Sequence, residues 1–406
     1  MIENKILENY SLLVLKKGVN LQPNQGLVII CPIEQKEIAV TMTETAYKLG
    51  AKKVEVRWQE ERIDKLSYHY AKTETLCDIP KWFIDSKNYL VKEGYCYVAI
   101  DGDDPEAFLG IDAVKLATVA QAKSKKLKKF SDAVMENRIR WCVVSVPTEK
   151  WARKVYPNST TPLEDLSKAI ERTMRLDMEN PIEEWNKHIE ALDRRAEFLN
   201  NSNFKYLKYT ASNGTDFKIG LSKNHVWLSA KEKAKDGFDF IANMPTEEVF
   251  TCPNNMEAEG KVVSAMPLCY NGQIIDGFTL YFENGKVKDF TAKIGYETLR
   301  GLLLTDKGAK RLGEVAIIGK NSPVAREKTL FYNTLFDENA SCHFALGKAY
   351  PTTVKGEWSK KELSSFGVND SVIHIDFMIG TSDMKIEGFT EKGESTVIFE
   401  NGEWIV

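Results

Sequence analysis

The sequence predicts an α/β protein of two domains: an N-terminal Rossmann-like parallel α/β domain and a C-terminal β-rich α+β domain. Three observations predict it. Up to about residue 180, strand-like and helix-like patterns alternate, which is the mark of βαβ units and a parallel sheet. From Phe204 onward, short alternating runs come at close intervals, with Asn-Gly pairs between them. The 406 residues also exceed one domain at about 150 residues each. The expected division is 1–200 and 201–406.

In the first half, "GLVIICP" (Gly26–Pro32) is a short apolar run bounded by breakers, hence a buried strand. A helical pattern follows and stops at Gly50. "KKVEVRW", "GYCYVAIDGDD" and "IRWCVVSVP" read as three more strands. "TPLEDLSKAIERTM" reads as a helix capped by Thr161, with Pro162 in the first turn and Glu164 completing a capping box. "IEEWNKHIEALDRRAEFLNN" is a further helix leading out of the domain. In the second half, Asn284-Gly285 and Asn401-Gly402 each separate two alternating runs, the favoured two-residue hairpin turn.

Composition narrows the function classes. A net charge of −3 argues against nucleic acid or an anionic membrane as partner, since both require a basic face. The lysine run Lys123–Lys129 reads as a solvated helix face. No apolar run approaches the ~20 residues that span a bilayer. The N-terminus has no basic n-region and no small-residue cleavage site, so no signal peptide is expected. Seven scattered cysteines without a C-x-x-C suit reduced thiols in a cytoplasm. The first half carries neither G-x-G-x-x-G nor a P-loop, and the chain has no G-x-S-x-G and no H-E-x-x-H.

The chemistry concentrates in the second half. In "SVIHIDFMIG", the strand period of two puts His374 and Asp376 on one face of an apolar run. A lone buried carboxylate is very costly, so the pair is either a set of cation ligands or a core histidine bonded to its own neighbour. "FDENASCHFALGKAYP" adds His343, with Asp337 and Glu338 upstream and Tyr350 downstream. If that stretch enters a helix, Asn339 is its expected cap, and one of the two acids reaches toward His343. "RLGEVAIIG" and "NMPTEEVFTCP" place Glu314, and Glu247 with Glu248, at the edges of β runs. Together these oxygen and imidazole donors suit Zn, Co or Mn, and their number suits two ions sharing a bridging carboxylate.

At these residues the chain resembles the thermophilic metalloaminopeptidases, the aminopeptidase S and aminopeptidase T family. "PTEEVFT", "LGEVAII", "FYNTLFDENASCHFALGKAYP" and "HIDFMIG" carry the resemblance, in the family's order. It implies a cytoplasmic, homodimeric exopeptidase that takes single residues from the free N-terminus of short peptides. It also implies two divalent ions per active site (Zn, Co or Mn, with Mg possible). The implied metal ligands are Glu248, Glu314, His343, His374 and Asp376, with Glu314 as the bridge. Tyr350 is the implied hydrogen-bond donor in catalysis, and either Glu314 or Glu338 is the general base. Two rival readings use the same residues: another two-metal hydrolase, such as an amidohydrolase or phosphodiesterase, or a non-catalytic metal-stabilised binding protein.

Overall fold

The computed structural model describes residues 4–102, 104–270 and 273–406. The chain forms two compact units. The first is Met1–Asn186 with Lys231–Pro245, and the second is Lys187–Ala230 with Thr246–Val406.

The first unit is built on four parallel strands: β1 (Gly26–Pro32), β2 (Lys53–Gln59), β3 (Cys96–Asp101) and β4 (Trp141–Ser145). Their order is β2-β1-β3-β4. Every residue of β1 is buried, which explains its lack of polar side chains: an inner parallel strand is covered on both faces. Helix Lys36–Lys48 follows β1, and the chain turns away from it at Gly50 with φ of 90°. Two short strands, β7 (Glu232–Lys233) and β8 (Asp239–Phe240), bring the later segment back to this unit. There the Val143 amide donates to the Ala242 carbonyl at 2.7 Å, beside the edge strand β4.

Helix Pro162–Thr173 begins where the sequence places it, but Thr161 makes no side-chain cap. Instead the Ser159 hydroxyl accepts from the Thr161 amide at 2.9 Å and donates to Asp165, while Glu164 pairs with Lys168. A true capping box occurs at Ser359 and Glu362. Between Lys123 and Lys129 the lysines are exposed on helical turns.

The second unit holds an eight-stranded sheet of order β14-β13-β10-β6-β5-β18-β19-β20. Its members are β5 (Tyr206–Thr210), β6 (Asp216–Leu221), β10 (Pro253–Val263), β13 (Thr279–Glu283), β14 (Lys286–Thr291), β18 (Lys385–Phe389), β19 (Ser395–Glu400) and β20 (Glu403–Trp404). Both Asn-Gly pairs form the tight turns expected of them, with φ of 51° and 75° at Asn284 and Gly285, and 52° and 71° at Asn401 and Gly402. β11 (Leu268–Tyr270) pairs antiparallel with β12 (Gln273–Ile275). A second, four-stranded antiparallel sheet has the order β17-β16-β15-β9, from β9 (Val249–Thr251), β15 (Leu312–Ile317), β16 (His343–Gly347) and β17 (His374–Met378).

This smaller sheet is two-faced. Val315, Phe344 and Phe377 stand opposite one another across β15, β16 and β17, so they share a face. Phe344 meets Tyr209 and Phe217 of the large sheet at ring separations of 5.0 and 5.4 Å. The alternate residues point the other way, and they carry the polar cluster. The apolar run that leads into β17 is not buried throughout: Val372 lies before the strand and is 80 % exposed.

Candidate metal centre

The pairing register assembles the site. Glu314 of β15 faces Ala345 of β16, and Ala345 faces Asp376 of β17. Cross-strand partners lie on one side of a sheet, so the small Ala345 separates two carboxylates without filling the space between them. His343 lies two residues before Ala345, and His374 two before Asp376, so both join the same face. Glu248 enters from the start of β9, whose Phe250 pairs with Ala316 on that side.

A bulge aims Glu314. The β15–β16 register shifts between Leu312 and Glu314, with Gly313 in the gap. A Cβ on Gly313 would stand 2.4 Å from the carbonyl oxygens of both Gly347 and Lys348, so only glycine fits there. The Lys348 carbonyl is itself part of the site, because it accepts the His374 Nδ1–H at 2.6 Å.

Two candidate ligand groups result, Glu248 with Glu314 and His343, and Glu314 with His374 and Asp376. In each, one donor atom per residue lies within 4.8 Å of the others. Glu314 belongs to both. Its Oε1 is 3.4 Å from His343 Nε2, and its Oε2 is 3.7 Å from His374 Nε2. Glu248 Oε2 and Asp376 Oδ1 each lie 3.3 Å from an imidazole nitrogen, that of His343 and of His374. Both oxygens are buried and make no hydrogen bond among the described residues. Both histidines turn Nδ1 to a backbone carbonyl, Ser341 for His343 at 3.3 Å and Lys348 for His374. That turns Nε2 inward as the atom that would donate to a cation, the arrangement that orients metal-ligating histidines.

The electrostatics point the same way. Burial raises the Glu314 carboxyl, and the charges of Glu248 and Asp376 add to it. Burial and the same two neighbours push Glu338 well above the ordinary carboxylate range. Burial alone would lower His343, but Glu248 and Glu314 outweigh it and hold the imidazole well above its usual value. In His374 the Asp376 charge overcomes burial and raises the group to about 10. The cluster thus has more buried negative charge than its own residues balance, and it recruits protons in the place of cations. Orphaned carboxylate oxygens, oriented imidazoles and uncompensated charge together fit divalent cations, with a donor set suited to Zn, Co or Mn.

The remaining expected residues divide cleanly. Tyr350 follows β16, and its ring lies 4.8 Å from that of His374. Burial, then the Glu314 and Asp376 charges, keep its phenol protonated well above the usual range. Of the adjacent acids, Glu338 faces the cluster. Asp337 does not: its carboxylate accepts the amides of Phe331 at 2.7 Å and Asn333 at 3.1 Å. Of the other pair, Glu247 turns away to lie 3.6 Å from His188.

Asn339 does not cap a helix, because Glu338–Ala340 is a single 3-10 turn leading into β16. Its side chain instead accepts the Glu247 amide at 2.7 Å and donates to the Leu335 carbonyl at 2.9 Å. Asn333 is the residue that caps, at the start of helix Thr334–Asp337. Gly313, Ala345 and the long-range role of Asn339 were not found from sequence. The Gly before Glu314 was the one available signal, an isolated glycine in a strand pattern that suggests a bulge.

Comparison with known proteins extends over nearly the whole chain. The family model described as thermophilic metalloprotease (M29) matches residues 3–404. Aminopeptidase 2 of Geobacillus stearothermophilus is 41 % identical over 404 residues, covering 98 % of both chains. Aminopeptidase AmpS of Bacillus subtilis (strain 168) is 38 % identical, again covering 98 % of both. The solved structure of wild-type AmpT from Thermus thermophilus superposes with a TM-score of 0.94 at 32 % identity, covering 99 % of both chains.

Proposed function

Because the chain belongs to the thermophilic metalloprotease (M29) family and is a metal-dependent aminopeptidase, we propose that it removes N-terminal residues from short peptides at a two-metal centre. The ligands in this proposal are Glu248, Glu314 and His343 for one ion, and Glu314, His374 and Asp376 for the other. The single observation that supports it most is the split of the Glu314 carboxylate, one oxygen toward each histidine. A carboxylate so placed suits two cations better than one.

Divalent ions held by these residues would supply Lewis acidity and bring the pKa of a water toward neutrality. The chain's own residues do the rest. Glu314 is committed to both ligand groups, which leaves Glu338 as the general base. Its buried, charge-crowded carboxyl has the raised proton affinity that base catalysis near neutral pH requires. It takes the proton of the attacking water and delivers it to the amine that leaves. Tyr350, kept protonated, donates to the oxygen that becomes negative as water adds to the carbonyl, a role worth on the order of 10²–10³ in rate. The carboxylates of the cluster also suit the positive α-amine that marks a free N-terminus.

The finer assignments belong to the same proposal. The ions are Zn, Co or Mn, with Mg as a weaker fit to imidazole donors. The enzyme works as a homodimer in the cytoplasm, a compartment that suits seven free cysteines. No helix among the described residues is long and apolar enough to cross a membrane. The test is a chelated preparation reloaded with Zn, Co or Mn and assayed on leucyl-anilide, acetyl-leucyl-anilide and a phosphodiester. Metal-restored cleavage of the free-amine substrate alone, with two ions bound per chain, is the expected result. Cleavage of the phosphodiester instead, or full activity with one ion, overturns the proposal.

A further inference from the structure

Beside the cluster lies a cavity of about 120 Å³ whose lining comes from the second unit alone. Glu338 and Asp376 stand on the side nearest the metal centre, and Leu268, Cys269, Tyr332 and Met378 line it further. The strand period explains why it sits there. His374, Asp376 and Met378 occupy alternate positions of β17, so the face that presents ligands runs on to Met378. We infer that this cavity receives the side chain of the substrate's N-terminal residue, and that it selects uncharged aliphatic side chains of about the size of leucine. The inference rests on the aminopeptidase reading, which brings the α-amine to the carboxylates and so the adjoining side chain to this cavity.

Size sets the upper limit. An apolar cavity of about 150 Å³ accommodates a benzene ring, and this one is smaller. An aliphatic chain fits, whereas an indole does not. Charge sets the second limit. Among the described residues no lysine, arginine or histidine lines the cavity. An acidic side chain would therefore meet the carboxylate of Glu338 and find no cationic side chain in the lining. Nor is a basic side chain matched deep in the cavity, because the carboxylate of Asp337 is spent on the amides of Phe331 and Asn333. Of the polar lining residues Asn333 and Thr334, Asn333 spends its side-chain oxygen on the Leu335 amide, so the buried Met378 and Leu268 supply most of the selection, by dispersion and desolvation.

The test compares kcat/KM for alanyl-, leucyl-, tryptophanyl- and glutamyl-anilides in the metal-loaded enzyme and three variants. Leu268→Phe and Cys269→Trp reduce the space, and Met378→Ala enlarges it. The wild type should prefer the leucyl substrate to the tryptophanyl and glutamyl ones. Either filling variant should lower the leucyl-to-alanyl ratio by about ten-fold, in the range one or two methylenes command in an apolar pocket. Met378→Ala should raise the tryptophanyl-to-leucyl ratio. Ratios within one preparation are insensitive to the fraction folded, and two independent filling variants guard against one that does not fold. Wild-type cleavage of all four with ratios that none of the three variants shifts overturns the cavity assignment and leaves the aminopeptidase reading intact. Failure to cleave any of the four overturns both.

Discussion

The side-chain oxygen of Asn339 accepts the backbone N–H of Glu247 at 2.7 Å across 92 positions of sequence. Asn339 follows Glu338, the proposed base, and Glu247 precedes Glu248, a proposed ligand. One buried amide therefore fixes two functional segments against each other, and Asn339 acts as a positioning residue.

Replacing Asn339 by alanine leaves the Glu247 amide and the Leu335 carbonyl without their partner. Each buried orphan costs about 1–3 kcal/mol, so a loss of a few kcal/mol in urea unfolding is expected. The fall in kcat should exceed the rise in KM, because the base and a ligand lose their mutual register. An unchanged kcat in folded protein would dismiss the positioning role.

Gly313→Ala should damage the centre from outside it. The added Cβ would collide with the Gly347 and Lys348 carbonyls, displacing both the bulge that aims Glu314 and the acceptor that orients His374. Weaker metal binding by about 10–100-fold is expected, the range seen when a ligand's supporting contacts are lost. Equilibrium dialysis against a competing chelator gives the answer, and wild-type affinity would refute the account.

Glu314→Ala and Glu338→Gln should fail in different ways. The first removes a donor shared by both ligand groups, so bound metal and activity fall together. The second should retain both ions while kcat drops by about 10²–10⁴, the range of general acid–base catalysis. Metal analysis by mass spectrometry beside single-turnover kinetics separates them. If Glu338→Gln keeps full kcat, the base lies elsewhere.

Tyr350→Phe should leave metal content and unfolding midpoint near wild type, yet lower kcat by about 10²–10³. The ring still packs beside His374, 4.8 Å away in the wild type, and the hydroxyl alone is missing. A wild-type kcat would remove Tyr350 from the mechanism.

Asp337 gives a pH dependence of stability that metal does not set. Burial lifts its carboxyl to about 7 from an ordinary 3.8, against the opposing pull of the Phe331 and Asn333 amides. A raised folded-state value means that the native protein binds the proton more tightly than the unfolded chain. The contribution is thus fully present below about pH 4 and is lost as pH rises through about 7. The rise from 3.8 to about 7 corresponds to on the order of 4 kcal/mol. In chelated protein, Asp337→Asn should flatten the fall in unfolding free energy between pH 4 and pH 8. An identical slope in both proteins would contradict it.

Much of this was legible because strand chemistry repeats every two residues. His374 and Asp376 declare a shared face by that period, while the two Asn-Gly turns and the uniformly apolar β1 declare themselves by residue type. Choices between neighbours were not legible. Glu247 and Glu248 are chemically alike, as are Asp337 and Glu338, and only the surrounding backbone decides which acid meets His188 or the Phe331 amide and which meets the cluster. Ala345 reads as one more small apolar residue until the register puts it between two carboxylates. The same holds for Lys231–Pro245, whose short polar strands give no local sign that they rejoin the first unit.

That return has a consequence for how such proteins can recombine. The chain passes into the second unit after Asn186, goes back at Lys231 and leaves again after Pro245, three residues before Glu248. A chimera of two homologues with one crossover near residue 186 would carry Ala242 from one parent and Val143 from the other, although these two share a backbone hydrogen bond. The halves are therefore not interchangeable cassettes. Exchange that respects the fold needs further crossovers flanking 231–245, and without them β4 and its later-coming neighbour are inherited from different parents.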